Sequence, residues 1–396
     1  MKTTFFYLLA AGLVLSLADN GRAQTSTPTP NTMYRIGESN AQQQTGAATS
    51  VVGYPLLGFK QYGLNVFINT QGASLSAAPV LGLPGTTTSY PTGSIALPSG
   101  ANYAPNYPSG DGYDLYHLHL GFESTSALNA AVGSGTFTFT LGDATATPTL
   151  TLDTASPSFP VSPTITSTDT WCKNGFLVIN STKNTTLTFN TSAFTGYSTG
   201  LAGRIDYQLF DGGGNPLVGQ TKSEYIPALG VTDPALSSCT IAAGTLAPGQ
   251  IGVLEVDYEQ IVSDNTTTFT GTGISGSPFG AAYNTSATFI TLIGDPFSGT
   301  AAGNGLRGSG WFGYYTADNY PLIYHYGLGY LSVFPSGNGI YLYDYTSGHF
   351  FYTQSNYYPF LYDFTLNAFI YYYEGNAAGA KRHFYKFGAN PGVITQ

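Results

Sequence analysis

Three short stretches carry residue types that could do chemistry. In "HLHLGFE", His117, His119 and Glu123 stand at positions i, i+2 and i+6. Those positions share one face of an extended strand. Two imidazoles and a carboxylate are a donor set for a divalent metal with open coordination positions. The plainer alternative is that strand histidines are ordinary packing residues, and no other histidine occurs before His325. In "EVDYE", Glu255, Asp257 and Glu259 alternate along one strand. That pattern suits a solvated acidic face, or a calcium site, better than the two carboxylates that glycosidases set across a cleft. "GYSTG" matches Gly-x-Ser-x-Gly around Ser198. A nucleophile elbow needs a strand before it and a helix after it, whereas the strand-like "RIDYQLF" follows here. No cofactor-binding motif is legible, and no cofactor is expected.

The elements that must position these residues are β-strands. "GLNVFINT", "YDLYHLHLGF" and "GTFTFTLGD" alternate apolar and polar residues at period two, as half-buried strands do. "STSALNAAV" is the one helical signal, with Ser124 as its cap. After Pro160 come "GFLVIN", "TTLTFN", "GRIDYQLF", "GVLEVDYEQI" and "ATFITLIG", separated by turn clusters such as "DGGGNP". Many short strands with no long helices between them predict β-sandwiches. "LAPGQIGVLEV" resembles the stretch before a late strand of fibronectin type III domains, with Gly252 where that pattern has tyrosine. The expected organisation has two immunoglobulin- or fibronectin III-like β-sandwich domains, at 33–160 and 161–294, then a Gly-rich hinge at 295–310. A sheet of tandem aromatic hairpins completes the all-β chain at 311–388.

Composition bounds the partners. Charged residues are 8% of the 396, and the formal net charge is −9 with 12 Lys and Arg. Nucleic acid needs basic patches to release counterions, so it is excluded as a partner. Lys2 followed by "FFYLLAAGLVLSL", with Gly21 and Ala23 before Gln24, has the form of a secretory signal peptide over 1–23. A Thr/Pro linker follows over 24–32. No later apolar stretch has spanning length, so no transmembrane segment is expected in the mature chain. Secretion also predicts that the only two cysteines, Cys172 and Cys239, pair,. That closure would contribute roughly 4 kcal/mol in the chain-entropy model.

The C-terminal quarter contains an internal repeat. Seventeen of the 31 tyrosines lie between Tyr314 and Tyr385. Tyr324, Tyr343 and Tyr362 are nineteen residues apart and open the triplets "YHY", "YDY" and "YDF". Gly310, Gly329, Gly348 and Asn367 recur at the same interval and are the expected tight-turn residues. Each unit is therefore strand, turn, strand. Alternation places Tyr324, Tyr326, Tyr343, Tyr345, Tyr362 and Phe364 on one face, and with Trp311 they form the expected ligand-binding surface. Tyrosine offers a flat face and a hydroxyl at low entropic cost, which suits sugars. The plainer alternative is that the rings are packing material only.

With "WFGYYTADNYPLIYHYGLGYLSVF" and "GIYLYDYTSGHFFYT", this tail resembles an aromatic C-terminal module of uncharacterised secreted proteins from Verrucomicrobia-type bacteria. "GFESTSALNAAVGSGTFTFTLGD" is similar to a segment of the β-domains that precede such modules. The resemblance implies a secreted or cell-surface protein and no particular activity. The leading expectation is a non-enzymatic surface protein whose tail binds an envelope component or polysaccharide. The alternative is an extracellular carbohydrate-active or metal-dependent enzyme using His117, His119 and Glu123.

Overall fold

The computed structural model describes residues 33–47, 51–53, 60–69, 77–98, 115–141, 147–191, 194, 202–227, 236–265, 279–337, 339–373 and 382–395. The leader, the linker and the Ser198 motif lie outside them. The first part of the chain contains β1 (Met33–Gln44), β2 (Val51–Gly53), β3 (Tyr62–Asn69), β4 (Val80–Gly82), β5 (Ser94–Ala96), β6 (Leu115–Phe122), α1 (Thr125–Val132), β7 (Gly135–Thr140), β8 (Thr149–Leu152) and β9 (Ile165–Thr166). Then come β10 (Thr170–Trp171), β11 (Phe176–Ile179), β12 (Thr185–Phe189), β13 (Ala202–Asp211), β14 (Pro216–Pro227), β15 (Ser238–Ile241), β16 (Ile251–Asn265) and β17 (Phe279–Gly294). The last part contains β18 (Thr300–Gly303), β19 (Leu306–Ser309), β20 (Gly313–Asn319), β21 (Leu322–His325), β22 (Gly329–Ser336), β23 (Gly339–Asp344), β24 (His349–Thr353), β25 (Phe360–Asp363), β26 (Ala368–Tyr372), β27 (His383–Lys386) and β28 (Gly392–Thr395). The fold is all-β, as the period-two patterning predicts. In α1, the hydroxyl of Ser124 accepts the Ala127 amide at 3.1 Å, and Leu128, Ala131 and Val132 face the core.

The two expected sandwich domains share one large sheet. Its order is β14-β13-β16-β17-β1-β3-β6, with β11 on the far end of β17. The join is β1 with β17, parallel, from Met33 opposite Phe279 to Gln43 opposite Phe289. Two small sheets cover one side of it. Over the β1–β3 half lies β5-β4-β7-β8, and Tyr34, Ile36, Leu64 and Val66 pack there with Leu81, Phe137, Phe139 and Leu150. Over the β13–β16–β17 half lies β15-β12-β9, and Ile205, Leu254, Val256 and Ile290 pack there with Ile165, Leu187 and Ile241. Leu246, of the fibronectin-like stretch, belongs to this second core. The boundary at 160/161 is thus corrected: β1 is hydrogen-bonded along both edges, to β3 and to β17. A pairing between strands so distant in sequence leaves no local mark.

Residues 295–310 are no hinge. They supply β18 and β19, the first strands of an eleven-stranded antiparallel sheet that runs in chain order to β28. The positive-φ glycines Gly303 and Gly305 turn the first hairpin. Buried Arg307 fastens the sheet to the body: Nε bonds Asp295 at 2.5 Å, Nη1 donates to the Val178 carbonyl at 2.8 Å, and Nη2 donates to the Gly299 carbonyl at 2.6 Å. Lys173 N–H donates to the Asp318 carbonyl at 2.6 Å. The core beneath the sheet includes Cys172, Val178, Ile293 and Phe297 from the body. The sheet also curls on itself. Arg382, just before β27, donates to the Leu328 carbonyl at 2.6 Å, at the turn into β22. In a flat sheet those strands would be ~24 Å apart, at ~4.8 Å per strand. Curling buries Ile323, Leu331, Leu342, Phe351, Leu361, Ile370 and Phe384 in one core.

Candidate functional site: the outer face of the C-terminal sheet

The middle residue of each aromatic triplet faces inward and builds the turn. His325 Nδ1 accepts the amides of Gly327 (3.1 Å) and Leu328 (2.9 Å). Asp344 accepts those of Thr346 (3.3 Å) and Ser347 (3.1 Å), and Asp363 those of Thr365 (2.9 Å) and Leu366 (3.0 Å). A side chain that bonds the amides two and three residues on is an Asx-type turn. The residue four on has positive φ in each case: 85° at Gly329, 75° at Gly348 and 49° at Asn367. Ser309 makes the same bonds, to the amides of Trp311 (3.3 Å) and Phe312 (3.2 Å), and Gly313 has φ 84°. The first turn therefore uses Gly313, not Gly310 as the nineteen-residue spacing predicts, because the repeat shortens before His325.

These polar middles are nearly water-free, and each is satisfied. Arg382 donates to Asp344 through Nη1 (2.9 Å) and Nη2 (2.7 Å). His349 Nδ1 lies 2.7 Å from Asp363 Oδ2. Because its Nδ1 accepts, His325 carries its proton on Nε2 and donates it to the Phe312 carbonyl at 2.5 Å. Burial pushes the His325 pKa down to about 4, and the Phe312 carbonyl opposes the shift only in part.

With the middles turned in, the flanking rings turn out. Tyr326 is 56% exposed, Tyr345 57% and Phe364 49%; Tyr324 is also exposed, and Tyr343 and Tyr362 are half-buried. The cross-strand register adds a third ring to each pair. Tyr324 meets Tyr326 at 5.8 Å and Tyr330 at 5.0 Å, Tyr343 meets Tyr345 and Phe350 at 5.0 Å, and Tyr362 meets Phe364 at 5.0 Å and Phe369 at 5.2 Å. Further exposed rings lie beside these clusters: Phe334 is 6.3 Å from Phe350, Tyr341 is 5.9 Å from Phe364, and Phe360 is 5.8 Å from Phe387. The result is a band of rings running across the strands. From Leu322 to Tyr373 no described outward strand position carries a charge. An open cleft of about 240 Å³ near the end of the band is lined by Tyr362, Asn367, Phe369, Lys386 and Phe387.

Sequence reasoning found the triplets but missed Tyr330, Phe334, Phe350 and Phe369, which alternation within β22, β24 and β26 would have placed beside them. Trp311 is the exception in the other direction. It is half-buried against Phe297 (5.7 Å), Phe312 (5.4 Å) and Tyr358 (6.0 Å), so it belongs to the core and not to the outward face.

The other sequence candidates are scattered. His117 pairs with Phe67 and His119 with Asn65 across β6 and β3. His119 Nδ1 is 2.6 Å from Asn65 Oδ1, and burial lowers its pKa. Glu123 lies beyond the end of β6, largely exposed and ion-paired with Lys60. Among the described residues no three His, Cys, Asp or Glu side chains are arranged to hold a metal ion. Cys172 and Cys239 are unpaired, one in the core under the C-terminal sheet and the other in the second sandwich core. The expected disulfide is therefore corrected, since the two thiols serve different cores. Burial pushes each thiol up to about 12.

Glu255, Asp257 and Glu259 form no solvated face. All three are buried, and β13 sets Gln208, Asp206 and Arg204 directly opposite them. Glu259 is bonded by Arg35 and by Arg204 (3.0 Å), and Arg204 also pairs with Asp206 at 2.7 Å. Glu255 and Asp257 are held protonated well above the usual carboxylate range, first by burial and then by the acidic groups beside them. The visible signal was Arg204 of "RIDYQ", which stands opposite Glu259 of "EVDYE".

Among the described residues no helix is long and apolar enough to cross a membrane. No family model matches the chain, and no curated protein matches it. Among solved structures, the crystal structure of chicken CNTN1 FN1–FN3 domains aligns over 90% of this chain and 99% of its own, at 8% identity. The TM-score is 0.15, and at that value the likeness carries no argument.

Proposed function

We propose that this is a non-enzymatic secreted or cell-surface protein that adheres to polysaccharide through the outer aromatic face of its C-terminal sheet. The observation that carries this is the array of exposed rings from Tyr324 to Tyr373, with no charge on the described outward strand positions. Soluble proteins rarely leave contiguous apolar patches of such extent without a partner. Structure-building polar groups turned inward and rings turned outward divide labour in every repeat, so the exposed rings are not needed for the core. The competing enzymatic reading needs His117, His119 and Glu123 to converge, and His119 and Glu123 are bonded to different partners.

The test is a pull-down of the mature chain on insoluble glucans, chitin and cell-wall material. A variant carrying Tyr326→Ser, Tyr345→Ser and Phe364→Ser removes one exposed ring from each cluster. The expected outcome is retention of the parent and loss of the variant, with unchanged circular dichroism. Equal retention of both refutes the assignment.

A further inference from the structure

We infer that the cleft between the last two turns of the C-terminal sheet binds one carboxylate-bearing sugar unit, of the uronic acid class, with Lys386 as the partner of the carboxylate. The choice of a sugar rests on the polysaccharide reading above; the place and the acidic class are new. The mark in the sequence is "YKF", Tyr385 to Phe387. This triplet occupies the turn position of its repeat. The Phe387 amide donates to the Phe369 carbonyl at 2.9 Å, as the Phe364 amide does to the Phe350 carbonyl at 3.0 Å. Asn390, four residues after Lys386, has φ 56°. Lys386 stands opposite Ile370 as Asp363 stands opposite Phe351. It is therefore the middle residue of its unit, with the sign of the charge reversed. An ammonium only donates, so it cannot accept the turn amides as Asp344 and Asp363 do.

The preceding gap between turns is filled, and this one is not. His349, opposite Asp344, reaches the next turn and lies 2.7 Å from Asp363. One repeat on, the place of His349 is taken by Ala368, opposite Asp363, and the place of Asp363 by Lys386. A methyl group cannot reach across the gap and offers the ammonium no acceptor. Lys386 is half-buried, and among the described residues nothing accepts from its ammonium. What the missing pair leaves is an open cleft of about 240 Å³, walled by Tyr362, Phe369 and Phe387 with Asn367, Ala368 and Lys386.

An unpaired ammonium beside three rings suits an anion that also carries a flat apolar face. A small inorganic anion would leave the rings unused, and a neutral sugar would leave the ammonium unused. A uronic acid uses both: its C–H face stacks on the rings, and its carboxylate accepts a charge-assisted hydrogen bond from Nζ. The Tyr362 hydroxyl donates to Asn367 Oδ1 at 2.5 Å, which leaves the Asn367 amide N–H groups as donors for a sugar hydroxyl. The volume is below the roughly 300 Å³ at which pockets for drug-sized ligands begin, so one sugar unit fits. A single unit touches two adjacent turns only, so the curl of the sheet makes no demand on the rest of the glycan.

The test is a ligand-observed NMR titration of the mature chain with the methyl glycosides of glucuronic and galacturonic acid, with those of glucose and galactose, and with acetate alone. The parent should bind the uronosides with a Kd of about 1 mM, and the neutral glycosides and acetate at least about fivefold more weakly. Lys386→Met keeps the stem and removes the charge. It should lose about five- to tenfold in affinity for the uronosides and nothing for the neutral glycosides. Ala368→His combined with Lys386→Asp rebuilds the pair that fills the preceding gap. That variant should keep its circular dichroism and bind neither class. Equal affinity for acidic and neutral glycosides, or an unchanged Lys386→Met variant, overturns the inference. Acetate binding as tightly as the uronosides also overturns it, as an adventitious anion only. If the inference fails while insoluble polysaccharide still retains the parent and not the Tyr326, Tyr345 and Phe364 triple variant, the adhesive reading stands without it. If the triple variant is retained as well as the parent, that reading fails, and the uronoside titration alone decides for the cleft.

Discussion

Acidification should loosen the C-terminal sheet through His325. The ring is buried and held neutral, accepting two turn amides and donating to the Phe312 carbonyl. Its folded pKa is about 4, against 6.5 for the free side chain. Above pH 6.5 the group is neutral in both states and its contribution is complete. As pH falls from 6.5 towards 4, the unfolded chain takes a proton that the folded chain refuses. Stability is lost through that window by roughly 3 kcal/mol and then levels off. Glu38, raised to about 8 by burial and by Asp153, and the buried Glu255 and Asp257 act in the opposite sense, since acid relieves them. The parent curve is therefore a sum, and a variant must isolate the histidine. His325→Asn keeps an acceptor for the turn amides, as Asp344 does, but loses the bond to Phe312 and cannot titrate. At pH 7.5 the variant should be less stable by about 1–2 kcal/mol. The two curves should cross near pH ~5.5, and at pH 4 the variant should be the more stable. Urea titrations read by Trp311 fluorescence in a Trp171→Phe background report on this region, since Trp311 packs 5.4 Å from Phe312. A constant difference between the two proteins from pH 7.5 to 4 would refute the buried-neutral assignment.

Three further outcomes follow from buried groups. Asp344→Ala strands Arg382 in the core and should cost about 3–5 kcal/mol in thermal unfolding; adding Arg382→Met should restore part of that loss, and no recovery would remove the pair from the account. Asp257→Asn should raise stability at pH 7.5 by about 1–2 kcal/mol, because the parent must keep a proton on a carboxyl that the unfolded chain ionises. That gain should fade as pH falls towards the unfolded carboxylate range,. Cys172 and Cys239 should resist a thiol reagent in the native chain and both react in urea, with mobility unaffected by reductant; a cross-linked species would contradict their placement in separate cores.

Much of the aromatic face was legible because the information is local. Alternation at period two puts Tyr324 and Tyr326 on one side of the chain and His325 on the other, whatever the rest of the molecule does. The nineteen-residue spacing marked the turns at Gly329, Gly348 and Asn367, since positive φ restricts which residues can stand there,. The spacing failed at Gly310, where the unit is shorter and Ser309, not an aspartate or histidine, caps the turn. It failed also at Trp311, whose ring turns inward because it follows that cap.

What the sequence by itself determined is the strand content, the hairpin repeat and which tail rings share a face, all consequences of side-chain alternation and turn stereochemistry over a few residues. The tertiary structure alone decided that one sheet joins the two sandwich halves through β1 and β17, and that Glu255, Asp257 and Glu259 are buried against β13. It also decided that the cysteines lie in different cores, and that the tail sheet curls to bring Arg382 onto Asp344. Each of these depends on which distant strands close against one another. Strand pairing uses backbone groups that every residue carries, so the choice of partner leaves little trace in any single stretch of side chains.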